Sequence, residues 1–437
     1  MGATPNPGLP RHRGSPELGV ALFGLGLSVI LQNMSNGFKF PDRFLWGTAT
    51  CAHQVEGNNS NSDWWEWEQS KGDREYPLEP SGIACDSYNR YEEDFDLCVK
   101  LNNNAVRISV EWARLEPREG EFSEAEFAHY KKVLKSAKDK GLKTFVTLHH
   151  FTNPIWFAKK RGWENYKSAH FFARYAKKCA QEFGDLVDVY LTINEPQVYT
   201  LMSYMSGIWP PCKKSFLMSL LVQINLMRAH RKAYDAIKSV NPKYQVGIVK
   251  NIVWYETLSS KYHIFDQFGV AFMNFIGSGF FLIPIHKKLD LIGLNYYFTS
   301  RIGNLRVKNP DNITSDLGWW IYPKGLEKIL IDLKKYNLPI YITENGLADA
   351  KDEKREEFIK SMLTSCANAI KAGVPLKGYF HWSLLDNYEW HHGFWPRFGL
   401  VDVDRESASS AGKLKRTPRK SFYYYADICG RNQLSFP

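Results

Sequence analysis

The sequence predicts an α/β fold, namely a single (β/α)8 TIM barrel. From residue 44 onwards, eight strand-like runs alternate with amphipathic helical segments, which is the order of elements in that barrel. Two of the runs end in a glutamate, Glu195 and Glu344, and such barrels carry their catalytic groups at the C-terminal ends of the strands. No linker rich in proline, glycine or serine divides the 437 residues. We therefore expect residues 38–437 to form one barrel and residues 1–37 to form an N-terminal extension.

The predicted strands are rich in β-branched and aromatic residues, and most of them end in polar side chains. In chain order they are Phe44 to Gln54, Ala105 to Trp112, Lys143 to His150, Val187 to Glu195, Gln245 to Trp254, Leu289 to Tyr297, Ile340 to Glu344 and Leu376 to Ser383. A doubly wound sheet is the rival fold, and it would carry a glycine-rich phosphate turn after its first strand. Residues 47–50 (GTAT) are not such a turn, so the barrel is favoured.

Between the strands, the sequence carries signals that begin and end helices. Ser123 and Glu126 form a capping box, and Gly141 ends the helix that follows. Thr417 as N-cap and Pro418 at the first helical position predict the start of the last helix. After the seventh strand, four apolar residues recur at helical spacing, namely Phe358, Met362, Cys366 and Ile370. That helix argues against the hairpin which the Asn-Gly dipeptide at the end of this strand would otherwise predict.

Composition and charge give little support to several classes of function. The formal net charge is +10, and the clearest basic cluster is residues 413–420 (KLKRTPRK). No nucleic-acid-binding motif accompanies the cluster, so we expect a solvated surface and no nucleic-acid partner. The seven cysteines are scattered without CxxC or Cys/His spacing, so we expect reduced thiols, no metal site and no cofactor. No oligomeric state follows from the sequence.

The first 37 residues differ from the rest of the chain. Gly19 to Leu31 is apolar and follows Arg11 and Arg13, which resembles a signal peptide, although the run is too short to cross a bilayer comfortably. It lacks a small-residue cleavage site, and Glu17 lies beside the apolar run. We therefore expect an extension without function on a cytoplasmic protein with no membrane partner. Secretion or anchoring through residues 1–37 is the alternative.

Glu195 and Glu344 are the pair of groups that cleavage of a glycosidic bond requires. One carboxylic acid protonates the leaving oxygen, and the other carboxylate attacks the sugar or activates a water molecule. Either glutamate alone is weak evidence, because a glutamate at a strand end can simply be solvated. Their placement at two strand ends of one predicted barrel favours a glycoside hydrolase.

Other polar and aromatic residues lie at the predicted strand ends or just beyond them. They include Gln54, Arg107, His150, Asn194, Asn295, Tyr297, Trp382, Glu389 and Trp390. Each alone is more often a structural residue than a ligand-binding one. Together they would form one rim, and sugars offer hydroxyl groups to amides and carboxylates and apolar ring faces to indoles.

Four motifs closely resemble the signatures of family one glycoside hydrolases, the β-glucosidase and β-galactosidase family. They are FLWGTAT at 44–50, TINEP at 192–196, ITENG at 342–346 and WSLLDNYEW at 382–390. The resemblance covers residues 38 to 430. It implies a retaining β-glycosidase of the β-glucosidase type that hydrolyses terminal non-reducing β-D-glycosyl residues of small β-glycosides or oligosaccharides, and the resemblance does not separate glucosides from galactosides and fucosides.

The resemblance also implies roles for individual residues. Glu344 matches the nucleophile and Glu195 matches the acid/base, while Arg107, Asn295 and Tyr297 match residues that position the nucleophile. The residues expected to contact the substrate are Gln54, His150, Asn194, Tyr297, Trp319, Trp382, Glu389 and Trp390. Among them, Trp319 is expected on the leaving-group side of the site.

Some features depart from the family pattern or leave alternatives open. The segment 255–288 is shorter and more apolar than in the family, which would leave the leaving-group side of the site open. A 6-phospho-β-glycosidase is the nearest alternative enzyme, although Glu389 would repel a phosphate. A carbohydrate-binding protein without activity is the alternative outside enzymes, and it is disfavoured because both glutamates are present.

Overall fold

Eight parallel strands close into a barrel in the computed structural model, which describes residues 37–70, 79–258, 264–303, 306–308, 313–405 and 414–435. The strands are β1 (Leu45–Ala49), β2 (Ala105–Ser109), β3 (Lys143–His149), β4 (Val189–Asn194), β5 (Gln245–Asn251), β6 (Leu291–Asn295), β7 (Ile340–Asn345) and β8 (Leu376–Trp382). Each strand pairs in parallel with the next one, and β8 also pairs with β1, which closes the ring. The predicted (β/α)8 barrel is confirmed.

A helix follows each barrel strand and packs on the outside of the ring. These helices are α1 (Ser87–Lys100), α2 (Glu124–Asp139), α3 (Ser168–Phe183), α4 (Phe216–Val240), α5 (Ile264–Lys288), α6 (Pro323–Leu333), α7 (Arg355–Lys371) and α8 (Lys420–Arg431). The run called α5 is not a uniform helix. It comprises the α-helix Ile264–Asn274, a π-helical turn Phe275–Gly279, the α-helix Phe280–Ile285 and a 3₁₀ turn His286–Lys288.

Shorter elements surround the ends of the barrel. The short α-helices are Ala52–Val55, Asp63–Gln69, Trp112–Leu115, Ile155–Lys159 and Pro196–Thr200, the last followed by a π-helical turn Leu201–Met205. The 3₁₀ turns are Gly162–Glu164, Gly184–Leu186, Lys334–Tyr336 and Trp390–His392. Three small sheets join Phe38–Lys39 to Gln433–Leu434, Val401–Val403 to Arg416–Pro418, and Thr299–Gly303 to both Trp254–Thr257 and Arg306–Lys308.

Several predicted strands extend beyond the observed ones, because the chain turns away once the last inter-strand hydrogen bond is made. Gln54 lies in the short helix Ala52–Val55 rather than in β1, and Trp112 lies in the helix Trp112–Leu115 rather than in β2. Trp254 begins a separate strand outside the ring. Of the polar residues predicted at the strand ends, Gln54, His150, Glu195 and Tyr297 lie just beyond the observed strands, whereas Arg107, Asn194, Asn295 and Glu344 lie within them.

The last helix begins later than the sequence predicts, so the assignment of Thr417 as its N-cap is wrong. Thr417 and Pro418 lie in the short strand that pairs antiparallel with Val401–Val403, and α8 begins at Lys420. Strand pairing holds these residues in an extended conformation, which outweighs the local capping signal. The capping box at Ser123 has its expected bond, because the Ser123 hydroxyl accepts the backbone N–H of Glu126.

The end of the barrel opposite the C-terminal strand ends is filled by aromatic side chains. The ring of Phe145 in β3 lies 4.9 Å from that of Phe380 in β8 and 5.1 Å from that of Tyr341 in β7. Gly47 in β1 leaves the space that Phe380 occupies, because a Cβ at Gly47 would lie 2.5 Å from the Phe380 ring. A filled interior of this kind restricts ligand binding to the other end of the barrel.

The basic cluster at 413–420 is partly engaged in ion pairs inside the protein. Arg416 Nε lies 3.0 Å from Asp94 Oδ1, and Arg419 lies 2.9 Å from Asp402 Oδ1. These pairs tie the C-terminal segment to the barrel and reduce the free charge that a polyanion could contact. All seven cysteines are free thiols, and six of them are buried. Residues 1–36, which include Gly19 to Leu31, lie outside the described part of the chain.

Candidate active site

A cavity of about 350 Å³ opens among the loops that follow the barrel strands. Its volume lies in the range of small-molecule sites, and its lining combines a few polar groups with many aromatic rings. The lining residues are Gln54, His150, Phe151, Asn194, Glu195, Val198, Leu201, Met202, Trp209, Asn251, Val253, Tyr297, Phe298, Trp319, Glu344, Trp382, Glu389, Trp390, His391, His392 and Phe398. Every residue predicted to contact the substrate is therefore in this cavity.

Glu195 lies directly after β4 and before Pro196, which begins a short helix. Its backbone has a φ of +42°, a left-handed conformation that is uncommon for residues other than glycine, asparagine and aspartate. The amides of Asn295 and Asn251 both donate to Glu195 Oε1, at 2.7 and 3.0 Å. Burial and then the charge of Glu344 raise the pKa of Glu195 to about 7. A carboxyl group with this pKa can donate a proton near neutral pH.

Glu344 in β7 has the opposite surroundings. The guanidinium of Arg107 in β2 is paired with Glu344 Oε1, and the Tyr297 hydroxyl donates to Glu344 Oε2 at 2.6 Å. Burial and the neighbouring carboxylates raise the pKa of Tyr297, so its hydroxyl keeps the proton that it donates. A cation and a hydroxyl donor both stabilise negative charge on Glu344. Glu195 and Glu344 therefore have surroundings of opposite character, amides and a nearby carboxyl group for Glu195 and a cation and a hydroxyl donor for Glu344.

Asn194 connects the two sides of the site. Its Oδ1 accepts from the Arg107 guanidinium at 2.7 Å and from the Asn295 amide at 3.3 Å, which leaves its Nδ2 to donate to His150 Nε2 at 3.0 Å. Burial lowers the pKa of His150, so this ring is neutral and its proton resides on Nδ1. That Nδ1 is buried without a protein partner among the described residues.

Gln54 and Glu389 face the cavity from the opposite rim. Gln54 Nε2 donates to the backbone oxygen of Tyr388 at 2.7 Å and to Asn387 Oδ1 at 3.0 Å. Its Oε1 is buried without a protein donor in the described ranges. Burial, followed by the charges of the two catalytic candidates, raises the pKa of Glu389 to about 8. The neutral form of Glu389 can both donate and accept hydrogen bonds.

Aromatic rings form the remaining walls. Trp382 and Trp390 each lie nearly parallel to the His150 ring, at 6.2 and 6.0 Å between ring centres. Trp319 lies 5.5 Å from the Tyr297 ring and belongs to the cavity as expected. An indole face is a suitable platform for the apolar face of a pyranose. The cavity therefore presents hydrogen-bonding groups and ring surfaces together, as sugar binding requires.

Comparison with known families agrees with this geometry. Residues 37–282 and 274–434 match the model of glycosyl hydrolase family 1. The chain belongs to glycosyl hydrolase family 1. The two matched stretches overlap within α5, between β5 and β6, which is where the sequence predicted a segment shorter than in the family.

The similarity to curated relatives and to solved structures extends over nearly the whole of this chain. β-Glucosidase A of Thermotoga maritima is 33% identical, over 91% of this chain and 99% of the relative. A β-galactosidase of Pyrococcus woesei is 30% identical over 90% of this chain and 97% of the relative. Among solved structures, the β-glycosidase from Pyrococcus horikoshii is 37% identical with a TM-score of 0.83, over 92% of this chain and 97% of that one. The β-glucosidase of T. maritima in complex with glucoimidazole has a TM-score of 0.84 at 31% identity, over 90% and 99% of the two chains.

Of the predicted positioning residues, Tyr297 is part of the cavity lining, whereas Arg107 and Asn295 lie next to it. Arg107 and Asn295 are fully buried, and each contacts one of the two glutamates, as already described. Asn251 was missed by the sequence analysis, although it donates to Glu195. The available signal was its position, because Asn251 is a polar residue at the end of the fifth strand, where the other strands carry the residues of the site. Trp209 was also missed, and it lies on a loop between two helical segments that carries none of the recognised motifs.

Lys250 is a buried lysine that interacts electrostatically with the acid/base candidate Glu195. It precedes Asn251 in β5 and is fully buried. Its Nζ donates to Gln197 Oε1 and lies 5.0 Å from the centre of the Phe281 ring. Burial lowers the pKa of Lys250 to about 7, while the charge of Glu195 acts in the opposite direction. The sequence signal was a lysine within the apolar run VGIVKN at 246–251.

Proposed function

We propose that this family 1 protein is a retaining β-glycosidase of the β-glucosidase type. The observation that carries the proposal is the contrast between two buried carboxyl groups of the cavity, Glu195 and Glu344. Glu195 has a pKa of about 7, whereas Glu344 contacts a guanidinium and a tyrosine hydroxyl. Two carboxyl groups in environments of opposite character provide an acid and a nucleophile in one site.

In the first step, a Glu344 oxygen attacks the anomeric carbon while the bond from that carbon to the aglycone oxygen breaks. Glu195 gives its proton to the departing oxygen, so the aglycone leaves as a neutral alcohol. In the second step, ionised Glu195 takes a proton from water, the water oxygen attacks the anomeric carbon, and the bond to Glu344 breaks. Two inversions leave the configuration of the product unchanged. The family resemblance assigns the contact with the sugar 2-hydroxyl, an interaction that strengthens in the transition state, to Asn194, whose Oδ1 accepts from Arg107.

The substrates that we propose are small β-glycosides or oligosaccharides with a terminal non-reducing β-D-glucosyl residue, and β-galactosides and β-fucosides as well. The names of the relatives support both glucosidase and galactosidase activity. Gln54 and His150 line the same cavity as the two glutamates and supply polar side chains for the recognition of a sugar. Within the described lining of the cavity there is no lysine or arginine, which disfavours a phosphorylated sugar.

A panel of nitrophenyl glycosides tests this proposal. We expect hydrolysis of the β-glucoside, with activity on the β-galactoside and β-fucoside, and none on the α-glucoside, which serves as the control for the configuration of the substrate. Proton NMR during the first turnovers should show β-glucose before mutarotation produces the α-anomer. Formation of α-glucose first would show inversion and would overturn the double displacement.

We expect Lys250→Met to move the basic limb of the pH–rate profile to higher pH by about one unit. Hydrolysis of an alkyl β-glucoside requires protonated Glu195, so kcat/KM falls as the pH rises through about 7. Charged Lys250 favours ionised Glu195, and its removal raises the pKa of Glu195. The control is Lys131→Met, because Lys131 pairs with Glu182 on the outer surface. A basic limb that stays in place in the Lys250→Met enzyme would contradict this assignment.

A further inference from the structure

The outer side of α5 is apolar, which is the reverse of the usual arrangement in a barrel helix. Its large exposed apolar residues recur at helical spacing, and four of the six are phenylalanines. They are Ile264, Phe265, Phe268, Phe272, Phe275 and Ile283. Phe268 and Phe272 are 68% and 62% exposed. The single acidic residue of α5, Asp266, is buried. Water therefore meets a row of large apolar side chains along this helix.

A second set of exposed apolar residues lies on the elements that precede α5. They are Leu201, Met205, Ile208, Phe216, Leu217, Leu221 and Ile224, at the π-helical turn after β4 and in the first half of α4. Gln197 donates to the backbone oxygen of Ile276 at 2.6 Å, which joins this region to α5. The α4 helix also packs on the Phe280–Ile285 part of α5. We call these two sets together the apolar face, and surfaces of this kind mark sites of interaction.

The apolar face continues into the mouth of the active-site cavity. Leu201 belongs to the exposed set and also lines the cavity, where Val198, Met202 and Val253 are its apolar neighbours. The sugar-binding groups Gln54 and Glu389 lie elsewhere in the same cavity. A glycoside bound through its sugar can therefore place an apolar aglycone toward this face.

The charges beside the apolar face are mostly positive, with Lys213 paired to Glu164 and Lys288 paired to Asp235. Residues 196–234 contain no aspartate or glutamate, whereas they contain five lysines or arginines. In α4 the exposed apolar residues lie in the N-terminal half and are followed by exposed Arg228 and Arg231. In α5 the phenylalanines are followed by exposed Lys287. An apolar band bordered by cations is complementary to a lipid surface with anionic headgroups.

One helix in the described ranges, α5, is long and apolar enough by length and composition to cross a membrane. Its inner side argues against a transmembrane position, because Phe281, Leu282 and Ile285 are buried in the barrel core. The helix also connects two adjacent barrel strands, β5 and β6. With its inner side held by the barrel, α5 can lie along a lipid surface but cannot pass through it.

We propose that the apolar face docks on an anionic lipid bilayer and brings the cavity to β-glycosides whose aglycone is embedded in that bilayer. The substrate part of this proposal rests on the proposed function. Composition alone gave the expectation of no membrane partner, because it did not show that the phenylalanines of α5 face outward. The phenylalanines enter the boundary between headgroups and acyl chains, and the cations contact the headgroups.

Vesicle flotation with the full chain tests the docking. We expect the protein to float with phosphatidylcholine–phosphatidylglycerol vesicles and less with vesicles of phosphatidylcholine alone. The double variant Phe268→Gln/Phe272→Gln should bind at least about tenfold more weakly, because two exposed apolar side chains are lost. Arg231→Gln/Lys287→Gln should lose the preference for anionic vesicles. The matched control is Tyr423→Gln, because Tyr423 is 64% exposed on α8, across the barrel from α4 and α5.

A fluorescent label distinguishes this face from other segments that could bind lipid. Cys212 is the exposed cysteine among the seven and lies four residues before the start of α4. A polarity-sensitive dye on Cys212 should shift to shorter wavelength when anionic vesicles are added, and the shift should be lost in Phe268→Gln/Phe272→Gln. An unchanged shift in that variant, or wild-type flotation of it, would overturn the proposal.

Substrate presentation separates failure of this inference from failure of the proposed function. The phenylalanine variant should hydrolyse soluble nitrophenyl β-glucoside at the wild-type rate and lose activity on a β-glucoside with a long alkyl chain held in anionic vesicles. Loss of both activities would indicate damage to the enzyme, and equal activities in wild type and variant would overturn the docking.

Sedimentation provides the remaining test. A wild-type dimer that becomes a monomer in the variant, without vesicle binding by either, would assign the face to a second copy of the chain and overturn the proposal.

Discussion

Glu344→Ala lowers kcat for every β-glucoside by on the order of 10⁴- to 10⁶-fold, the loss expected when a covalent nucleophile is removed. Alanine cannot attack the anomeric carbon, so the quality of the leaving group does not restore the reaction. Azide or formate added in the space of the missing carboxylate should attack from the same side and restore turnover. Since only one displacement then occurs, the product with azide is the α-glycosyl azide, which NMR identifies.

Loss of activity in Glu344→Ala has to be separated from loss of structure, because Arg107 is buried and loses a charged partner. Arg107 still donates to Thr147 Oγ1 at 3.1 Å and to Asn194 Oδ1 at 2.7 Å, so we expect a folded protein by circular dichroism. Glu389→Ala is the matched control, since this carboxyl group is buried in the same cavity. It should weaken substrate binding, and azide should not restore its activity. Rescue of Glu389→Ala in place of Glu344→Ala would reassign the nucleophile.

The two glutamates could be assigned from sequence because each lies in a local pattern, a β-rich run followed by a turn. The barrel could be predicted for the same reason, since alternation of strands and helices is a local property. The contacts that give the glutamates different roles are not local. Arg107 and Glu344 are separated by 237 residues, and Asn295 reaches Glu195 across 100. Spacing along the chain cannot show which donor faces which carboxylate, so these contacts had to come from the family resemblance or from the structure.

The residues that sequence reasoning missed lie where burial changes the chemistry of an ordinary residue type. Lys250 would be a solvated lysine on most strands, and only the packing of Phe281 and Gln197 around it gives a buried cation. The apolar character of 264–285 was visible, but its direction was not. In most barrel helices the apolar stripe faces the core, and here Phe268 and Phe272 face solvent while Phe281 and Leu282 fill the core. Which side of a helix is outside depends on its neighbours and not on its own sequence.

Glu195→Ala gives a loss of rate that depends on the leaving group. An alkyl β-glucoside needs a proton on its departing oxygen, so its kcat/KM should fall by about 10²- to 10⁴-fold, the usual contribution of general acid catalysis. A dinitrophenyl β-glucoside leaves as a stable phenolate, and its kcat/KM should change little. The variant also lacks the base that activates water in the second step. The glycosyl-enzyme should therefore accumulate on Glu344, with a burst of dinitrophenolate and a mass increase on the peptide that carries Glu344.

Azide distinguishes this variant from Glu344→Ala by the configuration of the product. Azide needs no general base, and in Glu195→Ala it attacks the glycosyl-enzyme from the side that Glu195 normally occupies. Glu344 has already inverted the anomeric carbon once, so the second displacement yields the β-glycosyl azide. The two variants thus give products of opposite configuration from one substrate and one nucleophile. An α-azide from Glu195→Ala together with a β-azide from Glu344→Ala would exchange the two roles, and wild-type rates in both variants would rule out this cavity as the site of catalysis.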